Sequence, residues 1–225
     1  MKPEEHFNEL IEKYIMPHCG ETRRQHLLTL INNPRIKEGI SICPASTSKA
    51  YHHCIESGLI IHIKQVIDIA LCLKSCGKPL EDLSEESIVT VGILHDLHKV
   101  CDFNGSSYYV PNLLKSGKVS DAKPYKIGEI NKWQDASMTD PAPTPKEYFL
   151  EHAKIKPSGH MSLMTLLAYS QELYEGLTVD ETFAIIHHGG AYETSMYELA
   201  GKENKLQIIM HAADMLSSRY HEEAW

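Results

Sequence analysis

One periodicity dominates the chain and limits what it can become. Phe7, Leu10, Ile11, Tyr14 and Ile15 recur at three- and four-residue steps, the spacing that lines one face of an α-helix. The same period organises 22–33, through Leu27, Leu28, Leu30 and Ile31, a long stretch from Gly58 to about Ser75, and then 159–175, 178–188 and 203–220. Local signals set the boundaries. "NNP" at 32–34 stops the second helix, residues 34–48 with "CPASTS" read as a loop, and Ser48 reads as the cap of a short helix over 49–55. "LSEES" at 83–87 reads as a helix start with Ser84 as cap and Ser87 in place of Glu at the third position, an incomplete capping box. That helix runs into "GILHDLHKV" at 92–100.

The pattern fails between 101 and 157, where Gly, Ser, Tyr, Lys and Pro alternate without period. "YYV" at 108–110 reads as a short strand and "DPAPTPK" at 140–146 as a Pro-rich connector. A patternless stretch of this length in a compact domain is usually functional or disordered, and here it is a candidate lid. No internal repeat is visible. The expectation is one all-α domain over 1–225, a helical bundle with a long irregular insertion at 101–157.

Composition bounds the function. Hydrophobic residues make up 42% and charged residues 23%, ordinary for a soluble globular protein. No apolar run approaches the roughly 20 residues of a membrane span, and "MKPEEHFNEL" lacks the uncharged core of a secretory signal. A cytoplasmic protein with no membrane partner is expected; oligomeric state is not readable. Six scattered cysteines form no C-x-x-C pair, so reduced thiols are expected. A net charge of −8 argues against a large basic face for duplex nucleic acid. The insertion is locally basic and aromatic, with Tyr108, Tyr109, Lys115, Lys118, Lys123, Tyr125, Lys126, Lys132 and Trp133. Such a segment can stack on a base or track a single strand.

Histidine is the unusual residue, at 14 copies. Several sit at or near the ends of apolar runs: His62, the pair His95-Asp96, His160, the pair His187-His188, and with them Asp214. Any one alone is more often a packed residue than a ligand. Two adjacent pairs on separate apolar helices are harder to ascribe to chance. Neutral imidazole is the commonest metal ligand and carboxylate adds a hard anionic donor. A set without thiolates suits zinc, manganese, iron or another divalent first-row ion. An aspartate can also bridge two ions through its two oxygens.

"YHHCIESGLIIH" (51–62), "HDLHKV" (95–100), "GHMS" (159–162), "IIHHGG" (185–190) and "MHAADML" (210–216) fall in sequence. The set resembles the His…His-Asp…Asp signature of the HD superfamily of metal-dependent phosphohydrolases. It is most similar to the HD domain of bacterial 3′–5′ exoribonucleases and to stand-alone bacterial and phage HD hydrolases. The likeness covers about 5–100 and 157–220; the insertion departs from the family's spacing. The chain also leaves no room for the OB domain of those exonucleases, which turns the expectation away from RNA.

The resemblance implies an HD-type bundle in which His62, His95, Asp96 and Asp214 hold one divalent ion (Mn, Fe, Zn, Co, Ni or Mg). It implies that His160, His187 and His188 add the ligands of a two-ion version, with Asp96 as the bridge. Lys99, one turn after Asp96, would neutralise phosphoryl charge, so Asp96 and Lys99 are the catalytic candidates. His53 matches the family's "HH" and would touch phosphate or orient a ligand. His52 reads as structural, His98 as a packing or surface residue, and His211 as a partner of Asp214 or a pocket wall. His6, His18, His26, His152 and His221 carry no pattern. The expected function is hydrolysis of a phosphoester of a nucleotide or related small phosphate by metal-activated water. The alternatives are a single-stranded RNA or DNA 3′–5′ exonuclease and, lower, a non-catalytic HD binding or sensor module.

Overall fold

The computed structural model of the chain describes residues 1–101, 107–128, 158–190 and 201–219. Helix α1 (Pro3–Glu9) continues through a π-helical Leu10–Ile15 into Met16–His18. It is followed by α2 (Glu21–Ile31), α3 (Pro34–Ile42), α4 (Gly58–Ser75) and α5 (Glu85–Leu94). After a 3-10 turn at Leu97–Lys99 come strands β1 (Tyr109–Pro111) and β2 (Tyr125–Ile127). The chain ends with α6 (Ser158–Tyr169), α7 (Gln171–Glu175), α8 (Val179–Ile186) and α9 (Lys205–Arg219). The protein is mainly α-helical, as the periodicity predicts. Among the described residues no helix is long and apolar enough to cross a membrane.

Helix α4 is the axis of the bundle. It packs against α9, α5 and α3, while α8 packs on α9, α6 and α5. Ile60, Ile63 and Ile67 of α4 meet Val89, Val91 and Ile93 of α5 and Ile209, Met210 and Ala213 of α9 in one buried cluster. Every residue from Ile88 to Leu94 is buried, which is why this helix is apolar all round rather than striped. Ser84 caps it as expected, its Oγ accepting the Ser87 N–H at 3.3 Å. All six cysteines are free thiols.

Three sequence expectations are corrected. Residues 34–42 form α3 rather than loop. Pro34 stops α2 but is also a favoured first helical residue, and Asn33 Oδ1 caps the new helix by accepting Arg35 N–H at 3.0 Å. Residues 49–55 make turns, not a helix, because His53 (φ 43°) and Ser57 (φ 63°) are left-handed. This folds the His53 carbonyl back to accept Ala45 N–H at 3.0 Å and lays it against Gly58. A Cβ at Gly58 would lie 1.9 Å from that oxygen. The stretch 159–175 divides at the extended Ser170 into α6 and α7.

The insertion is partly described. β1 and β2 pair antiparallel, Tyr109 opposite Ile127 and Pro111 opposite Tyr125, so "YYV" does enter a strand. The hairpin docks on the 45–52 loop: Lys49 N–H donates to Ala122 O at 3.1 Å and Tyr109 OH to Ala45 O at 3.0 Å. The Pro-rich connector at 140–146, Lys132, Trp133, His152 and His221 lie outside the described residues.

Candidate metal centre

Helix α4 delivers His62 to the middle of the bundle, where its side chain is fully buried. α5 ends at Leu94, so His95 and Asp96 sit on the turn after the helix. α9 brings Asp214 from the far end of the chain. His62 Nε2 lies 3.1 Å from Asp214 Oδ1, 3.3 Å from His95 Nε2 and 3.5 Å from Asp96 Oδ2. His95 Nε2 is also 3.5 Å from that Asp96 oxygen. Two ligands on a common ion with bonds of about 2.1 Å are themselves about 3.0–3.4 Å apart at octahedral to tetrahedral angles. The donor atoms of His62, His95 and Asp214 all fall within 4.8 Å of one another, and this group can hold a metal ion.

The hydrogen bonds point the lone pairs inward. His95 Nδ1 donates to Gly92 O at 2.8 Å and His188 Nδ1 to Ile185 O at 2.7 Å. A carbonyl only accepts, so in the neutral ring each Nε2 keeps its lone pair. His62 reaches the same state through a relay. Its Nδ1 lies 2.9 Å from Ser217 Oγ, which donates onward to Gln65 Oε1 at 3.0 Å. His53 Nε2 closes the relay on the same Gln65 oxygen at 2.8 Å. Four acceptor atoms thus converge in a buried space, an arrangement that needs protons or a cation at its centre.

The electrostatics agree. Burial pulls His62 below its ordinary value. Burial also acts downward on His95, but the charges of Asp96 and Asp214 outweigh it and raise that ring. Burial would raise Asp96, yet Lys99 and His95 hold it well below the usual carboxylate range. Asp214 is likewise held low, against its burial, by His62 and His95. Lys99 Nζ sits 2.6 Å from Asp96 Oδ2 and 3.1 Å from Ala45 O. A divalent ion bound there would offset the negative charge of these carboxylates.

The remaining candidates are distributed around this centre. His188 Nε2 lies 3.8 Å from Asp96 Oδ1, the carboxylate oxygen opposite the His62 side. His187 is buried on the turn after α8, stacked 5.9 Å from Phe183. His160 is half-buried near the start of α6. Burial, and then the proximity of His160, depress His187. His53 contributes through Gln65. His98 is buried, its Nδ1 3.0 Å from the Ser162 hydroxyl that also donates to His95 O at 2.7 Å. His211 serves the turn rather than Asp214: its Nδ1 donates to His188 O at 2.8 Å. Gly190 (φ 58°) makes room, since a Cβ there would lie 2.0 Å from the His211 ring.

Sequence reasoning missed Gln65, Ser162, Ser217 and Ser218. Gln65 is three residues after His62 and Ser217 three after Asp214, so each shares a helix face with a ligand candidate. Ser218 donates to Asp214 Oδ1 at 3.3 Å. That spacing was the available signal. His52, read as structural, has its ring 4.8 Å from that of His62 and its Nε2 buried without a hydrogen-bond partner. Compared with protein-family models, with curated proteins and with solved structures, the chain matches none.

Proposed function

We propose that the protein is a metal-dependent phosphohydrolase of the HD type, acting on a phosphoester of a nucleotide or related small phosphate. The observation that carries this reading is the convergence of His62, His95, Asp96 and Asp214 at ligand-to-ligand spacing. These four residues also stand in the order of the HD signature. His62 Nε2, His95 Nε2, Asp96 Oδ2 and Asp214 Oδ1 would hold the ion. When bound, a divalent ion there supplies Lewis acidity that makes water acidic enough to attack phosphorus near neutral pH.

The chain's own groups do the rest. The Gly92 carbonyl and the Ser217–Gln65 relay fix two imidazoles in one tautomer and orientation. Lys99 keeps Asp96 ionised, and a phosphoryl oxygen arriving beside that carboxylate would meet the same ammonium, which offsets its charge. In a two-ion version Asp96 would offer Oδ2 on the side of His62 and His95 and Oδ1 on the side of His188. His160 and His187 are the further ligands of that two-ion version. The test is hydrolysis of a nucleotide panel and of labelled single strands by manganese-loaded protein. Release from nucleotides, abolished in Asp96→Ala, is expected. Full hydrolysis by Asp96→Ala would overturn the site, and degradation of single strands alone would select the exonuclease instead.

A further inference from the structure

His52 has a buried ring nitrogen with no protein partner. Buried polar atoms of native proteins are nearly always paired, so an exception needs a ligand, a water or a function. The same residue lines a cleft of about 610 Å³, within the range of small-molecule sites. The cleft adjoins the metal-ligand candidates at two points and Lys99 at a third. His52 packs on His62. Ser218, in the lining, hydrogen-bonds Asp214. Ala45, also in the lining, accepts hydrogen bonds from Lys99 and Tyr109 through its carbonyl.

The walls differ in chemistry. Tyr51, Tyr109 and Ile127 contribute aromatic and apolar surface to the lining, and the last two come from the hairpin. Arg219 brings a positive charge and Ser218 a hydroxyl. A phosphate ester carrying a planar base matches both kinds of lining, with its phosphate toward Asp96, Asp214 and Lys99. A hydrogen-bonding group of the ligand would then satisfy the His52 nitrogen.

Resting on the phosphohydrolase reading, we infer that this cleft is the substrate pocket for a single mononucleotide and that His52 Nε2 is a direct substrate contact in it. The docked hairpin is then a wall of the pocket, which makes the insertion a determinant of specificity.

The experiment is calorimetric binding of AMP to manganese-loaded protein, with manganese binding measured separately by electron paramagnetic resonance. Two variants are compared with the wild type. His52→Phe keeps a ring against His62 and removes the nitrogen. Ala50→Trp fills the cleft from an exposed position. Expected are one AMP per chain in the wild type, affinity lowered about 10- to 100-fold in His52→Phe, the effect of a lost hydrogen bond to a charged or buried group, and no binding in Ala50→Trp. Manganese binding stays unchanged in both. AMP binding equal to wild type in His52→Phe would overturn the role of His52, and in Ala50→Trp the pocket. A wild type that binds no AMP, yet hydrolyses p-nitrophenyl phosphate with manganese, would overturn this inference and leave the phosphohydrolase reading standing. Absence of both manganese binding and hydrolysis would sink the two together.

Discussion

Glu181 and Asp214 are both carboxylates set against partners from distant segments, and their partners differ in kind. Glu181, 1% exposed, accepts from Arg23 Nη2 at 3.2 Å and from Thr178 N–H at 2.7 Å. Arg23 also donates to Gly176 O at 2.8 Å. Acceptor meets donor, and the pair ties α2 to the start of α8. Asp214 Oδ1 accepts from the Ser218 hydroxyl at 3.3 Å but also faces His62 Nε2 at 3.1 Å, in a group of His62, His95 and Asp214 atoms with ligand-like spacing. In the first arrangement the chain itself supplies the counter-charge. The second is a group that could hold a cation, and that difference sets it apart from a structural ion pair.

The contrast can be broken at either side. The largest effect is expected from Glu181→Ala, which leaves the largely buried Arg23 guanidinium with only Glu86, 3.9 Å from its Nε, as counter-charge. Loss of one partner of a buried pair costs about 3–5 kcal/mol, to be read from urea denaturation, with manganese affinity unchanged. A Glu181→Ala protein as stable as wild type would remove the structural half of the comparison.

Acid sensitivity comes next. Burial pushes His98 down to about 3, whereas the unfolded chain protonates it near 6.5. Its contribution is therefore fully present above pH 6.5 and is lost as pH falls from there toward 3. The slope is up to about 1.4 kcal/mol per pH unit for one such group. His98→Asn should flatten the fall in metal-free stability between pH 6.5 and 4; an unchanged slope would show that His98 titrates normally.

The smallest effect is expected from Ser217→Ala. It removes the hydroxyl through which His62 reaches Gln65 while touching none of the ligand atoms. Loss of such an outer partner typically lowers metal affinity roughly 10- to 100-fold. An unchanged manganese affinity would show that the relay is only packing.

Sequence reached some of this and not the rest, for physical reasons. Helices with strong periodicity, such as α1, α4 and α9, were legible because their apolar residues face one core. α3 was not, because Pro34 is both a stop for one helix and a start for the next. The 49–55 turns were hidden by the left-handed His53 and Ser57, conformations that non-glycine side chains rarely adopt. His62, His95 and Asp214 were legible as residue types in apolar contexts. The tautomers of the two histidines were not, since those depend on Gly92 O and Ser217, which carry no chemical signature of their own. His52 looked inert beside His53, and only its unpartnered nitrogen and the cleft distinguish it.

The central claim is that the buried His/Asp cluster is a metal site, and calorimetric titration of manganese into the metal-free chain tests it most directly. Wild type and Asp214→Ala are measured side by side, with a urea transition for each. Saturable binding is predicted in the wild type and a loss beyond roughly 100-fold in Asp214→Ala, more than an outer partner would cause. The variant's urea midpoint should move less than that of Glu181→Ala. No binding in the wild type, or equal binding in Asp214→Ala, would contradict the account.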